Sequence, residues 1–333
     1  MENAIYDPRT ARTVNGQVVR DPFERNIIPA DLFDPVAVKI QSYFPQPLNN
    51  NLVNNFPLQA PYRQIQAIPS IKVDHVFTER ARMSVYFSPM RTDKDNGNLG
   101  LPDPISERRD QFIRSHMTRI NYDHTLTPTV LLHLGVGYAR YWNPDTAPAS
   151  ITGFDAAKEL GYRSGLDTGF PRMLGLTSSF GGMSNFGPTS RNILSSDKPT
   201  AVASATMTRG SHTLKFGGDW RVESYTNADS SLVQGISGFS SSQTGLPSTL
   251  GQNLQGGGVG FPYASFLLGL VNNTDLGGKS DPQYRRKTWA AFAQDTWKVT
   301  PKLTLDYGLR YDVQTPPQEI HNRTSTFSPT TPN

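Results

Sequence analysis

Two places in the sequence set a carboxylate beside an imidazole, Asp74-His75 and Asp123-His124. That pairing is the raw material of general acid–base chemistry, because the acid can orient the ring and hold its proton. Both pairs stand just before a turn, in stretches whose residues alternate. Neighbours in a strand point to opposite faces, which separates each acid from its histidine and favours a structural role. Ser, His and Asp all occur, but no G-x-S-x-G elbow does. Asp93-x-Asp95-x-Gly97-Asn98 resembles a calcium loop, yet it has glycine at a ligand position and Pro104 where the bidentate glutamate belongs. Gly256-Gly257-Gly258 follows no strand and precedes Pro262, so it does not fit a phosphate loop. There is no cysteine, hence no disulfide, thiolate metal site or thiol nucleophile. The expectation is a protein that is not an enzyme, with no catalytic residue, no metal and no cofactor.

The elements that carry these residues are strands. From Leu303 the residues alternate: Leu303, Leu305, Tyr307, Leu309, Tyr311 and Val313 on one face, Thr304, Asp306, Gly308, Arg310 and Asp312 on the other. Period two marks a strand with one oily and one wet face. Tilted, this stretch suffices for a bilayer's hydrocarbon layer, which takes roughly 9–11 residues. The preceding strand, 288–299, reaches it through a tight turn at Thr300-Pro301-Lys302. One such hairpin fits a membrane barrel or a soluble β-sandwich equally well; recurrence separates them.

The pattern recurs. Hairpins are expected near 70–88, 110–141, 200–225 and 286–313, with a hydrophobic residue and threonine at each turn: Phe77-Thr78, Leu126-Thr127, Met207-Thr208, Val299-Thr300. Gly135, Gly217 and Gly308 follow in three of the ascending strands, with Arg140, Arg221 and Arg310 beyond them. Turns are short on one side and loops long on the other, as in outer-membrane barrels, whose short turns are periplasmic and long loops extracellular. Histidines 116, 133 and 212 lie in strands and could line a lumen. Tyr138, Tyr141, Trp220, Trp289, Trp297 and Tyr311 fit aromatic girdles. Loop aromatics Trp142, Phe154, Tyr162, Phe170, Phe180 and Phe186 could meet a ligand or hold the loops together, and the second role is favoured.

Composition agrees. Only 36% of the 333 residues are hydrophobic, and no window approaches the ~18 apolar residues of a membrane helix. A barrel hides its lipid face in alternate residues, so this does not count against one. The charge of +4 is small and scattered, which argues against a nucleic-acid partner. The start, MENAIYDPRT, lacks the features of a signal peptide, so a fragment of a longer product is expected.

The stretch from Phe292-Ala293-Gln294-Asp295-Thr296-Trp297-Lys298 to Leu309-Arg310-Tyr311 resembles the barrel hairpin of TonB-dependent outer-membrane receptors, in particular the Oar-like group, which carries a carboxypeptidase-regulatory-like domain before its plug. The series Asp21-Pro22-Phe23, Asn26-Ile27-Ile28-Pro29-Ala30, Asp34-Pro35-Val36-Ala37 and Tyr43-Phe44-Pro45 resembles a loop within that barrel, with a short helix capped by Asp34. His212-Thr213-Leu214-Lys215-Phe216-Gly217 and Phe266-Leu267-Leu268-Gly269 also resemble family segments; the latter alone would equally suit a buried apolar helix.

The resulting expectation is all-β: an antiparallel transmembrane β-barrel, present as an incomplete arc of about eight strands in four hairpins with long extracellular loops. Residues 1–69 would be an extracellular loop segment, 70–315 the partial barrel, and 316–333 the start of a further loop. The resemblance implies a barrel of ~22 strands and a plug and TonB-contacting segment outside this chain. It also implies location in the outer membrane, outer-membrane lipid as a partner, and uptake of an extracellular nutrient. Siderophore, carbohydrate, peptide and cobalamin all stay open, and no ligand-binding residue is assigned. The alternatives are a structural or adhesive surface barrel, and a secreted soluble β-protein that binds carbohydrate.

Overall fold

Threonine sets three of the four tight turns in the computed structural model of the protein. The hydroxyls of Thr78, Thr127 and Thr300 accept the N–H of Arg80, Thr129 and Lys302 at 3.2, 3.3 and 3.2 Å. A side-chain oxygen here stands in for a turn carbonyl. The same three turns each carry a register shift, a bulge that leaves an extra residue and sharpens the local twist. The fourth turn keeps its register, and Gly210 enters it at φ +60°, a left-handed conformation that glycine adopts freely.

The structure describes residues 4–51, 53–56, 62–96, 100–178, 181–189, 191–247 and 259–325. The principal strands are β1 (Tyr62–Ala67), β2 (Ile71–Thr78), β3 (Ala81–Asn96), β4 (Arg109–Thr127), β5 (Val130–Thr146), β6 (Arg191–Arg209), β7 (His212–Asp229), β8 (Gln283–Thr300) and β9 (Leu303–Gln314). From β3 onward each pairs antiparallel with the next in sequence, while β1 and β2 lie end to end along the free side of β3. Among the described residues β9 does not pair with β1 or β2, so the sheet is an open arc of a barrel. β1 and β2 share one register on β3, interrupted where Pro69 comes opposite Pro89. Proline has no N–H for the ladder. Ser88 Oγ donates to the Pro69 carbonyl there at 3.1 Å.

The register sorts the side chains. One row runs Val73, Val85, Ile120, Val136, Ala201, Trp220, Trp289, Val313 across all the crossings, each residue opposite the next. The row beside it on the other face runs Asp74, Ser84, Asn121, Gly135, Val202, Asp219, Ala290, Asp312. The first face is apolar yet open: Leu309 is 78% and Tyr311 70% exposed. An oily face this large, with nothing of the protein over it, suits lipid. Among the described residues no helix is long and apolar enough to cross a membrane, which does not bear on crossing by strands.

Burial is concentrated beyond the strand ends, where the long loops pack on one another. Ile40, Ile105, Ile151, Leu160, Phe170, Leu176, Phe186 and Phe266 join in one core drawn from four separate segments between strands. Its helices are short. In α1 (Pro35–Gln41), Asp34 Oδ1 accepts from Val36 N at 2.9 Å and Ala37 N at 3.0 Å, Pro35 opens the first turn, and Ala37 and Ile40 are buried. The apolar piece at Phe266 forms α2 (Pro262–Leu267), whose Phe266 lies in the same core.

Several expectations need correction. The strands are longer than the alternation indicates: β4 has 19 residues, β6 19 and β7 18, and β3 runs on to Asn96. Backbone pairing does not require apolar side chains, so the ladder continues above the oily stretch. β1 falls within 1–69, so that segment is not loop throughout. Trp142 lies in β5, not in a loop. Tyr141 shares the inward face, while Tyr138, Trp220, Trp289, Trp297 and Tyr311 are outward. Phe180, Gly97, Asn98, Gly256 to Gly258 and 326–333 lie outside the described residues.

Candidate functional site on the inner wall

Strand parity turns several ion pairs to one side. Lys72 contacts Asp74 at 3.0 Å, and Arg82 contacts Asp123 at 3.3 Å. Arg310 lies 2.7 Å from Asp219 and 2.9 Å from Asp312. Arg286 is paired with Glu223. In each case the members lie on the face opposite the apolar rows. Outside the bilayer such surface pairs add little each; here they make one wall polar from edge to edge.

The adjacent acid–histidine pairs separate as strand geometry requires. Asp123 Oδ1 meets His133 Nδ1 on β5 at 2.7 Å, while His124 Nδ1 meets the Tyr122 hydroxyl at 2.9 Å on the other face. His75 packs edge-on against Phe77, with centroids 4.5 Å apart. Of the three strand histidines, His133 lies on the inner wall. His116 and His212 face outward, and His212 stacks on Trp297 and contacts Asp295 at 2.6 Å. Asp93 is held by Arg91 and Arg114, so it is not offered as a metal ligand. Among the described residues no three metal-ligating side chains converge.

The glycines of the repeat shape the wall. Gly135, Gly217 and Gly308 all lie on the inner face. A Cβ at Gly135 would sit 2.8 Å from Val202 Cγ2, and one at Gly308 2.7 Å from Gln294 Cβ. Gly137, one row away, would bring a Cβ 2.7 Å from Thr200 Oγ1. The row Arg119, Gly137, Thr200, Arg221 thus forms a shallow groove with a guanidinium at each end and a cavity of about 230 Å³. Among the described residues neither Arg119 nor Arg221 forms an ion pair; Arg119 Nε donates to the Asn121 carboxamide at 2.9 Å. The groove can accept an anionic or hydrogen-bonding group by the fork geometry of arginine. Arg221 and Arg310 carried a sequence signal in the repeat. Arg119 did not, and Arg140, grouped with them, faces outward.

Over this wall stands the loop cap. Phe186 meets Phe44 at a centroid distance of 4.9 Å and Phe266 at 6.0 Å, and Phe154 meets Phe170 at 5.3 Å. Tyr162 packs against the same core. The loop aromatics that are described therefore hold loops together. Phe44, Phe239 and Phe266 share that role, which only long-range packing reveals. Glu107, facing Arg172 at 3.7 Å, has its pKa raised by burial against the pull of that arginine. Glu319, beyond β9, accepts from Arg323 Nε at 3.1 Å and from the N–H groups of His321 and Arg323 at 2.9 Å each. The Arg323 contact and then the backbone donors hold its pKa down to about 2, against the opposing effect of burial.

A strip of sheet with an oily outside, a charged inside and a loop cap at one end is the layout of an outer-membrane barrel wall. The profile of the outer membrane beta barrel domain family matches residues 1–333. The chain belongs to that family. An outer membrane beta barrel domain places this chain in the cell outer membrane, with lipid against the apolar face. No curated protein matches the chain. Among solved structures it is similar to the outer membrane transporter YddB from Escherichia coli, at 12% identity and TM-score 0.45, covering 76% of this chain and 28% of that one. It is also similar to the siderophore receptor PiuA from Acinetobacter baumannii, at 15% identity and TM-score 0.37, covering 76% and 35%. The third is BauA, the ferric preacinetobactin receptor of Acinetobacter baumannii, at 14% identity and TM-score 0.38, covering 80% and 35%. The matched part of this outer membrane domain spans about a third or less of each of those chains.

Proposed function

We propose that this chain forms part of the barrel wall of a TonB-dependent outer-membrane receptor of the Oar-like kind, which imports a nutrient. The observation that carries the reading is the pairing of a polar inner wall with a packed cap at the long-loop end. In outer-membrane barrels the long loops lie outside and the short turns face the periplasm. The cap would then meet cargo from outside, and the inner wall, with Arg119 and Arg221 beside the Gly137 groove, would line its route. The sequence resemblance supplies the TonB coupling; the wall itself is assigned no chemical step. The inward-turned cap aromatics favour this reading over an adhesive surface, which would display them.

The test is uptake by cells that carry the full-length gene. A panel of labelled ferric siderophore, cobalamin, oligosaccharide and peptide is offered with TonB present and deleted. Accumulation of one cargo that stops without TonB, and that falls in an Arg119→Ala/Arg221→Ala double variant with normal surface expression, supports the proposal. Uptake that is equal without TonB, or no uptake of any cargo, overturns it.

A further inference from the structure

A trough runs up the inner wall along β5. Its floor is kept low by Gly135, Gly137 and Ala139 on β5 and by Ser196 on β6. Two cavities open in it, one of about 230 Å³ around Gly137 and one of about 320 Å³ at Ala139, Tyr141 and Ser196. From Gly135 to Tyr141, at about 3.3 Å per residue, the track is roughly 20 Å long.

The walls of the trough give it chemistry. In its lower half Arg119 and Arg221 stand at the two ends of the Gly137 row, and Lys198 lies one row higher, opposite Ala139. All three are exposed, and among the described residues none forms an ion pair. The carboxylates nearby are already held, Asp219 by Arg310 and Glu223 by Arg286. In the upper half Tyr141 and Tyr225 lie on either side of Ser196, 36% and 47% exposed. The row above repeats the arrangement with carboxamides: Asn143 and Asn227 flank Leu194. The Oδ1 of each is buried without a hydrogen-bond partner among the described residues, and Asn143 as a whole is only 7% exposed. A buried acceptor with no donor is destabilising, a deficit that a hydroxyl arriving at this level makes good.

Cations below, with ring faces and donor-seeking oxygens above, along a straight track, fit a linear ligand that is both anionic and rich in hydroxyls. An acidic peptide is linear too, but an extended peptide joins a sheet through main-chain bonds to a free edge. Strands β4 to β7 are each paired on both sides, so this wall offers side chains only.

We infer that the trough binds a linear acidic oligosaccharide, a chain of uronic acid residues. Arg119 and Arg221 grip its carboxylates by bidentate contact and Lys198 adds charge. Tyr141 and Tyr225 pack on its sugar rings, and Asn143 and Asn227 accept from its hydroxyls. The inference rests on the reading of the inner wall as a cargo route and names the class of cargo.

The experiment titrates the full-length protein in detergent micelles with an oligomer of galacturonic acid, with the same oligomer methyl-esterified, and with an oligoglutamate peptide, and reads affinity by calorimetry. The acid oligomer is expected to bind about tenfold tighter than its ester, with the difference shrinking as salt rises. Arg119→Gln/Arg221→Gln is expected to remove that difference and leave the ester's affinity in place. Tyr141→Ala/Tyr225→Ala is expected to weaken acid and ester alike, several-fold, and leave their ratio unchanged. Arg80→Gln/Lys302→Gln, which takes the same charge from the short turns, is expected to change neither. Equal binding of acid and ester overturns the proposal, as does tighter binding of the peptide. So does no binding of the acid oligomer, the result if another part of the full-length chain fills the trough. If the trough variants fail to fold, the three ligands and the salt series on the native protein still decide. Uptake assays with and without TonB keep the two readings apart. Binding of the acid oligomer with uptake indifferent to TonB supports this inference and overturns the transport reading. TonB-dependent uptake of another cargo, with no binding of the acid oligomer, does the reverse.

Discussion

Arg310 on β9 reaches across β8 to Asp219 on β7 at 2.7 Å and also holds Asp312 of its own strand at 2.9 Å. On the intervening strand the small Ala290 stands between Asp219 and Asp312, while Phe292 lies opposite Arg310 itself. One guanidinium thus ties β9 to β7 across β8 at the free edge of the arc. Removing it leaves two carboxylates side by side with no cation between them. Arg310→Ala is expected to lower the temperature at which the barrel loses its compact migration in a heated gel, and Arg310→Lys to lower it less, since an ammonium keeps the charge but not the fork. Equal melting of all three proteins would remove the tie from the account.

Leu134 and Ser204 test the two faces. Leu134 is outward in the row His75, Met83, Tyr122, Leu134, Ala203, and Ser204 is inward, opposite His133 and Gly217. Leu134→Arg is expected to destabilise the protein by about 2–4 kcal/mol in lipid, the cost of a cation near the bilayer midplane, and Ser204→Arg by much less. Urea titration in liposomes reads the difference; a reversed order would invert the assignment of faces.

Phe186 is fully buried among Phe44, Phe170 and Phe266. Phe186→Ala should cost about 3–5 kcal/mol, confined to the cap, because the cap has its own core and the strands below are held by backbone pairing. Trypsin should then cut at Arg163 in the variant while β4 to β7 stay protected. Cutting within the strands instead would show that cap and sheet unfold together.

Glu319 predicts a pH response. Its folded pKa of about 2 lies below its ordinary value of 4.5, so the clamp on Arg323 contributes in full above about 4.5 and fades as pH falls toward 2. The protein has no cysteine, so Thr324→Cys gives a single site for a spin label. The label should be restrained at pH 6 and gain mobility between pH 4.5 and 2. Glu319→Gln should leave it mobile at both, and a label whose motion ignores pH would contradict the clamp.

The sequence by itself determined what depends on near neighbours. Alternation in 303–313 separates oil from water, because a strand's side chains must take turns. The threonines at the turns fix where the chain reverses, because a hydroxyl satisfies an N–H two residues on. Asp34 and Pro35 announce a helix start for the same local reason. Parity from Leu132 was already enough to put Arg140 outward and Tyr141 inward, though spacing in the repeat suggested otherwise.

What only the tertiary structure decided involves partners far apart in the chain. The ladder above the membrane is written in hydrogen bonds, which leave no hydropathy pattern, so the strand ends at Asn96, Thr146 and Asp229 were hidden. The pairing of Asp123 with His133 and of Arg310 with Asp219 follows from register between strands. The core that gathers Ile40, Phe170, Phe186 and Phe266 draws on loops that look irregular one at a time; each becomes ordered because the others exclude water from it.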